Sequence, residues 1–275
     1  MAPSLPPIRP EDEAVAAKLR PHGAFDPTGV EPHVAARRDY LLRLGDDALV
    51  LGQRLGEWCG HGPALEVDIS LANLALDMVG QATLLLGEAG DGDALAFHRD
   101  VLDFRNCLLI EQPNGDFAQT IARHLLYTTW QHMLLQRLTR SSDRFLSEFA
   151  HKAVKETAYH RELAADWTVR LGDGTEESTG RMTEGLDWCW RFVPELFEVD
   201  ETLEGLIERG IAPDPRAFEE EYRSAIAGVL ASARLEVPAD QRPILGGRRG
   251  HHSEHLGHLL AVMQFLPRTY PDAVW

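Results

Sequence analysis

The chain has 275 residues, 44% of them hydrophobic, and carries 27 Lys and Arg against 43 Asp and Glu for a formal net charge of −16. That charge repels nucleic acid and anionic membrane surfaces, and the short basic cluster Arg248-Arg249 is too small to reverse it. Three scattered cysteines, Cys59, Cys107 and Cys189, form neither a disulfide framework nor a zinc pattern. The expected setting is a reducing cytoplasm, with no signal segment and no uninterrupted run of eighteen apolar residues to span a membrane.

Residues 1–34 are proline-rich with little periodicity and read as a flexible tail holding one short helix near Glu11 to Leu19. The remainder, 35–275, reads as a single helical domain. Apolar residues recur at three- and four-residue intervals from Ala35, and Gly60 closes that segment before Pro63. A second helix spans Asp68 to Glu88, and a shorter third runs from about Ala94 to Glu111. Pro113-Asn114-Gly115 then breaks the chain, and Asp116 is placed to cap a fourth helix, FAQTIARHLLYTTWQHMLLQRL. Asp143 starts a fifth that ends at Leu171-Gly172. Glu177 to about Glu198 forms a sixth, Pro215 opens a seventh, and His252 to Leu266 forms the last. No stretch alternates as a strand does, so the class is all-α, and long helices with short loops imply an antiparallel bundle.

The second helix poses a chemical question. LALDMVGQATLLL is apolar around most of its circumference, which predicts burial on nearly all sides, yet Asn73, Asp77 and Gln81 form a polar seam along it. Buried polar groups need partners, so the seam is expected to meet polar groups of facing helices. Inward carboxylates in a long bundle suggest a di-iron site, which takes a Glu from each of two helices and a Glu-x-x-His from each of two others. Composition gives about 1.9 carboxylate-x-x-His matches by chance (12 × 43/275), and the chain has one, Glu148-Phe-Ala-His151. Met78-Val-Gly-Gln81 lies on the second helix where such a pair would fall, and Met and Gln are poor iron ligands. Glu156 and His160 share a face, and Asp47 and Glu111 are further single carboxylates. Two readings stay open: a weakened metal centre, or an internal network of hydrogen bonds and ion pairs.

Four blocks carry a family resemblance: LGDDALVLGQRLGEWCGHGPALEVDISLANLALDMVGQA, FRNCLLIEQPNGDFAQTIARHLLY, KETAYHRELAADWTVRLGDGTEES and GGRRGHHSEHLGHLLAVMQFLPRTYPDAVW. In this order, from about Tyr40 to Trp275, the chain resembles the C subunits of bacterial phenylacetyl-CoA epoxidase complexes. The resemblance implies a ferritin-like fold with additional C-terminal helices, and a partner of similar fold, the catalytic A subunit, that holds the di-iron centre. It implies a flavin and iron–sulfur reductase subunit that feeds electrons from NADPH, and epoxidation of the aromatic ring of phenylacetyl-CoA with O2. This chain then corresponds to a non-catalytic subunit with no cofactor of its own, supporting the A subunit and touching phenylacetyl-CoA indirectly. Rival readings are an oxygenase with iron at Asp47, Glu111, Glu156 and His160, and a free-standing helical binding module. A homodimer of the isolated chain is a further alternative.

Three other features have two readings each. His251, His252, His255 and His258 crowd the start of the last helix, as a metal site or as imidazoles near a surface. Arg248 and Arg249, in Gly246-Gly247-Arg248-Arg249-Gly250, are candidates for the phosphates of coenzyme A, against a loop packed on the bundle or the partner. Trp188, Trp190 and Phe192 read as core or interface rather than substrate contacts.

Overall fold

The computed structural model describes residues 31–271 and 273, so the tail and its expected short helix lie outside the described residues. Eleven α-helices and no strand occur among the described residues. Four long helices form the bundle: α1 (Pro32–Gly56), α2 (Leu65–Ala89), α5 (Phe117–Leu138) and α6 (Arg144–Gly172). Between α2 and α5 lie α3 (Gly92–Phe97), a 3-10 turn (Val101–Asp103) and α4 (Leu108–Glu111). Then come α7 (Glu176–Trp190), α8 (Glu201–Glu208), α9 (Glu219–Ser232), α10 (Glu254–Met263) and α11 (Phe265–Thr269). The fold is an all-α, ferritin-like antiparallel bundle extended by C-terminal helices.

Local chemistry explains the starts of the long helices. Pro32 occupies the first turn of α1, where its missing N–H costs nothing. Asp116 and Asp143 accept from the amides of Gln119 (2.9 Å) and Leu146 (3.0 Å), capping α5 and α6 as the sequence predicts. Packing sets the rest. α1 lies against α2 and α5 against α6, and these two pairs make the most extensive contacts in the molecule. Arg37, early in α1, bonds Glu88 (2.7 Å), late in α2, so the two helices are antiparallel. Asp77–His160 and Gln81–Glu156 likewise fix α2 antiparallel to α6. α7 leans on α5 so closely that a Cβ on Gly185 would come 2.8 Å from the Gln119 Cα.

Residues 90–116 form the crossover from α2 to α5. It returns the chain along the bundle, because Phe117 at the start of α5 stacks edge-on against Trp58 just past the end of α1, 5.8 Å between ring centroids. One long crossover is a mark of ferritin-like connectivity. The helix expected from Ala94 to Glu111 is therefore interrupted. Amides at Arg105, Cys107 and Leu108 bond side-chain carboxylates instead of continuing a helix. Two other expectations change in detail. The sixth helix stops at Trp190 and continues as a 3-10 turn (Val193–Phe197), and the segment opened by Pro215 begins as a 3-10 turn before α9.

The largest correction concerns which helix is buried. α1 is buried at every position from Tyr40 to Gly52, including Arg43, Asp46 and Asp47. α2, the most apolar long helix, is buried on one side only: Leu65 is 72% and Leu76 69% exposed, with Ile69 and Leu84 open beside them. By length and composition α2 also passes as a membrane span, although no eighteen consecutive apolar residues occur in it, and 44% of its most apolar window is buried.

Gly185→Ala tests the α5–α7 contact. The added methyl meets backbone, which cannot swing aside, so we expect a loss of about 1–3 kcal/mol in denaturant unfolding. An unchanged midpoint would show that the two helices can separate freely.

Candidate functional site

The candidate residues fall into two separate constellations. The first surrounds the crossover. Asp47, buried in α1, accepts from the Cys107 amide at 2.8 Å and from Arg248 Nη2 at 2.7 Å. Arg248 also donates to the Arg43 and Arg105 carbonyls. Beside this pair, Asp46 takes the Arg105 amide (2.8 Å) and the guanidinium of Arg99. Glu195 gathers three amides, from Leu108 (2.6 Å), Gly246 (2.8 Å) and Gly247 (2.7 Å). Gly247 is required there, since a Cβ would sit 2.3 Å from the Asn106 carbonyl oxygen. Glu111, fully buried, receives Asn106 Nδ2 (2.9 Å), the Ser253 amide (2.6 Å) and His252 Nδ1 (2.7 Å), while His252 Nε2 lies 3.0 Å from the Phe104 carbonyl. These contacts stitch four distant pieces of chain together: α1, the crossover, the 193–197 turn and the loop 246–253.

Electrostatics follow from burial. Burial works against the Arg248 charge, but Asp47 beside it outweighs that and holds the guanidinium above its ordinary value. Burial pushes the Asp47 carboxyl up, with Arg248 and the Cys107 amide opposing it. Burial alone would lower His252, but Glu111 overcomes it and raises the imidazole above its ordinary value.

The second constellation lies where α2, α5 and α6 meet at mid-bundle. Gln81 donates to Glu156 (3.0 Å) and accepts from Gln131 (3.1 Å), and His160 Nε2 lies 3.1 Å from Asp77. The His160 ring faces His124 at 5.5 Å between centroids. His124 is fully buried with neither ring nitrogen bonded to protein, and burial, with His160 and Arg123 adding to it, lowers its pKa well below the ordinary imidazole value.

The predicted residues thus divide. Gln81, Asp77, Glu156 and His160 come together as a network, while Asp47 and Glu111 belong to the other constellation, so the four-residue iron set Asp47, Glu111, Glu156 and His160 does not converge. Asn73 is exposed, outside any buried seam, and the Asp77 side chain is 40% exposed. Glu148 pairs with Arg144 on the exposed side of α6, and His151 is exposed too. Arg248 is committed to Asp47 instead of being offered to coenzyme A phosphates, and Arg249 pairs with Glu198. The four crowded histidines do not share one site, since His252 turns inward to Glu111 while His251 is exposed. Among the described residues no three His, Cys, Asp or Glu side chains gather as a metal ion would require. The two-metal centre of ferritin-like proteins takes four carboxylates and two imidazoles, and the amides of Gln81 and Gln131 at mid-bundle do not fit that group. Sequence reasoning missed Arg99, Glu195, His124 and Gln131. A signal existed for one contact, the adjacent acids Asp46-Asp47 inside the apolar run LRLGDDALVLG, which demand buried cations or amides.

The family model described as Phenylacetic acid catabolic protein matches residues 28–275. The chain belongs to this family. A relative from Escherichia coli (strain K12), named as the C subunit of 1,2-phenylacetyl-CoA epoxidase, is 47% identical over 242 residues, which is 86% of this chain and 98% of the relative. The family match spans every residue of the two constellations.

Two outcomes check this site. Arg248→Met leaves Asp47 buried without its cation, and the carboxyl then takes up a proton or strains the crossover. We expect a loss of about 3–5 kcal/mol in unfolding free energy, with a near-native result overturning the role of the pair. Two histidines should bend the pH profile of stability in opposite directions. The folded chain keeps His124 neutral while the unfolded chain protonates it near pH 6.5, so stability falls as pH drops below about 6.5. The His252 contribution is full below about 6.5 and fades as pH rises through its raised folded value. His124→Leu should flatten the acid limb, and His252→Gln should cost most below pH 6.5. Melts across pH 5–9 read both, and parallel profiles for wild type and His124→Leu would overturn the assignment.

Proposed function

We propose that this chain is a non-catalytic, metal-free subunit of a phenylacetyl-CoA epoxidase, a cytoplasmic complex in the aerobic breakdown of phenylacetate. In this reading a separate catalytic subunit of similar fold holds the di-iron centre that epoxidises the aromatic ring with O2. A reductase subunit with flavin and an iron–sulfur cluster supplies electrons from NADPH. This chain holds the catalytic subunit in its active arrangement and touches phenylacetyl-CoA only through that partner.

The similarity to the Escherichia coli relative supports the complex and the pathway. The observation that carries the non-catalytic part is the Gln81–Gln131 amide contact at mid-bundle, 3.1 Å, with Met78 buried on the same helix. Carboxamides and a thioether are weak donors for iron, which favours carboxylate and imidazole in oxygenases. The remaining buried carboxylates, Asp46, Asp47, Glu111 and Glu195, are each occupied by cations or backbone amides.

The experiment is reconstitution. The chain is purified alone and together with the catalytic subunit, loaded with ferrous iron, and assayed with reductase, NADPH and phenylacetyl-CoA. Expected are well under one iron per copy of this chain, no turnover by it alone, and turnover restored when the two subunits are combined. Two tightly held irons per chain would identify an oxygenase in its own right. Full activity of the catalytic subunit without this chain would remove the supporting role.

A further inference from the structure

The turn Pro113-Asn114-Gly115, between the crossover and α5, belongs to neither constellation. Gly115 is exposed with φ +60°, and a Cβ there would sit 2.3 Å from the Gln119 side-chain oxygen, so glycine suits the position on both counts. Its amide N–H makes no hydrogen bond among the described residues. This free nitrogen directly follows Asn114 in the chain, and no β-carbon shields it. The Asn114 side-chain amide is held at both ends. Its Oδ1 accepts from Arg123 Nη2 at 2.6 Å, with Thr120 Oγ1 farther off at 3.4 Å. Its Nδ2 donates to Glu57 Oε2 and to the Arg54 carbonyl, each at 2.8 Å.

Arg123 is the unusual partner. It is buried and bonds no carboxylate among the described residues; its other contact is the Gln112 carbonyl, 2.6 Å from Nη1, and its Nε has no partner there. Burial lowers its guanidinium to about 10. A buried cation without a counter-charge is held at a cost, and it attracts negative charge that develops beside it far more strongly than it would in water. The nearest side-chain oxygen bonded to it is Asn114 Oδ1. That oxygen becomes negative when the neighbouring backbone nitrogen adds to Cγ. Arg123 therefore stands where the oxyanion donor stands in acyl-transfer enzymes.

We propose that Asn114-Gly115 is a self-modification site, at which Arg123 promotes conversion of the Asn114 amide to a carboxylate. The Gly115 nitrogen bonds to Asn114 Cγ and gives its proton to solvent, closing an imide ring, while Oδ1 carries the developing charge toward Arg123. The Cγ–Nδ2 bond then breaks, and the nitrogen takes a proton from solvent and leaves as ammonia. Water from the exposed side adds to the imide and opens it, leaving an aspartyl or isoaspartyl residue at 114. One water is consumed, one ammonia is released, and nothing is oxidised or reduced. The product carboxylate gives Arg123 the counter-charge that the amide lacks. No partner subunit takes part, so the site stands apart from the subunit reading.

The test incubates the full folded chain at mildly alkaline pH and maps it by mass spectrometry of tryptic peptides. Cleavage after Arg105 and Arg123 isolates one peptide holding both Asn114 and, as an internal control, buried Asn106, whose Nδ2 is bonded to Glu111. The fraction of Asn114 converted is read at isolation and over time, and ammonia release is followed in parallel. Expected is conversion that grows at Asn114 while Asn106 stays an amide. Arg123→Gln removes the cation and should slow the conversion roughly tenfold or more. A thermal melt checks that the variant is folded. Should it not fold, the wild type unfolded in urea separates Arg123 from Asn114 without a substitution, and it should convert more slowly than the folded chain. Conversion in the unfolded chain with none in the folded one would show that the fold protects Asn114 and overturn the proposal. A folded Arg123→Gln chain that converts at the wild-type rate would overturn it equally.

Discussion

The buried ion pair between Asp47 and Arg248 organises this molecule. A charge in the interior is tolerated only when its partner and its remaining hydrogen bonds are all present. Asp47 meets that demand by reaching the crossover amide at Cys107 and the C-terminal loop at once. Arg248 meets it by reaching Asp47 and two carbonyls, one in α1 and one in the crossover. Segments about 60 and 200 residues apart in sequence therefore have to arrive together. The neighbouring Asp46–Arg99 and Glu111–His252 pairs repeat the arrangement along the same crossover. The crossover has little regular structure, so many of its amides have no helical partner, and the carboxylates of α1, α4 and the 193–197 turn take that place.

This arrangement bears on why the second long helix reads so misleadingly in the sequence. Hydrophobic periodicity reports what a helix face would tolerate, not what covers it. α1 contains Arg43, Asp46, Asp47 and Arg54, and the crossover, α8, the C-terminal loop and α10 wrap it with complementary polar groups. α2 reads as buried on all sides, yet nothing in the described chain covers Leu65, Ile69 or Leu76. Periodicity and capping residues did place the four bundle helices, the turn at Pro113-Asn114-Gly115 and the caps at Asp116 and Asp143. They failed between Ala94 and Glu111, where tertiary hydrogen bonds to distant carboxylates override local helix preference.

The candidate site was legible to the same partial degree. Spacing four apart correctly put Glu156 and His160 on one face of α6 and Asp77 with Gln81 on one face of α2, and the structure joins the two faces. Spacing within a segment cannot say which distant segment supplies a partner. That is why residue type alone groups Asp47 and Glu111 with His160, when their partners, Arg248 and His252, lie in the C-terminal loop. The same limit hid Gln131 and His124, whose significance comes only from facing α2 and α6 across the bundle.

The distribution of buried carboxylates fits the proposed division of labour between subunits. In a di-iron bundle the facing carboxylates repel one another and are held together by the metal's charge. A bundle that works without metal must remove those carboxylates or give each a protein cation. At mid-bundle this chain uses the first solution. Gln81 and Gln131 satisfy each other as neutral amides, and the carboxylates that remain, Asp77 and Glu156, sit toward the edge where water reaches them. Around the crossover it uses the second, with Arg99, Arg248 and His252 each opposite one acid. A centre of neutral amides needs no ion to hold its helices together, so the bundle can serve as a fixed support while chemistry proceeds in another chain. The cost is a buried imidazole, His124, held well below its ordinary pKa by burial, since neither ring nitrogen has a partner among the described residues to receive a charge, while at its neighbour His160 burial outweighs the opposing pull of Asp77.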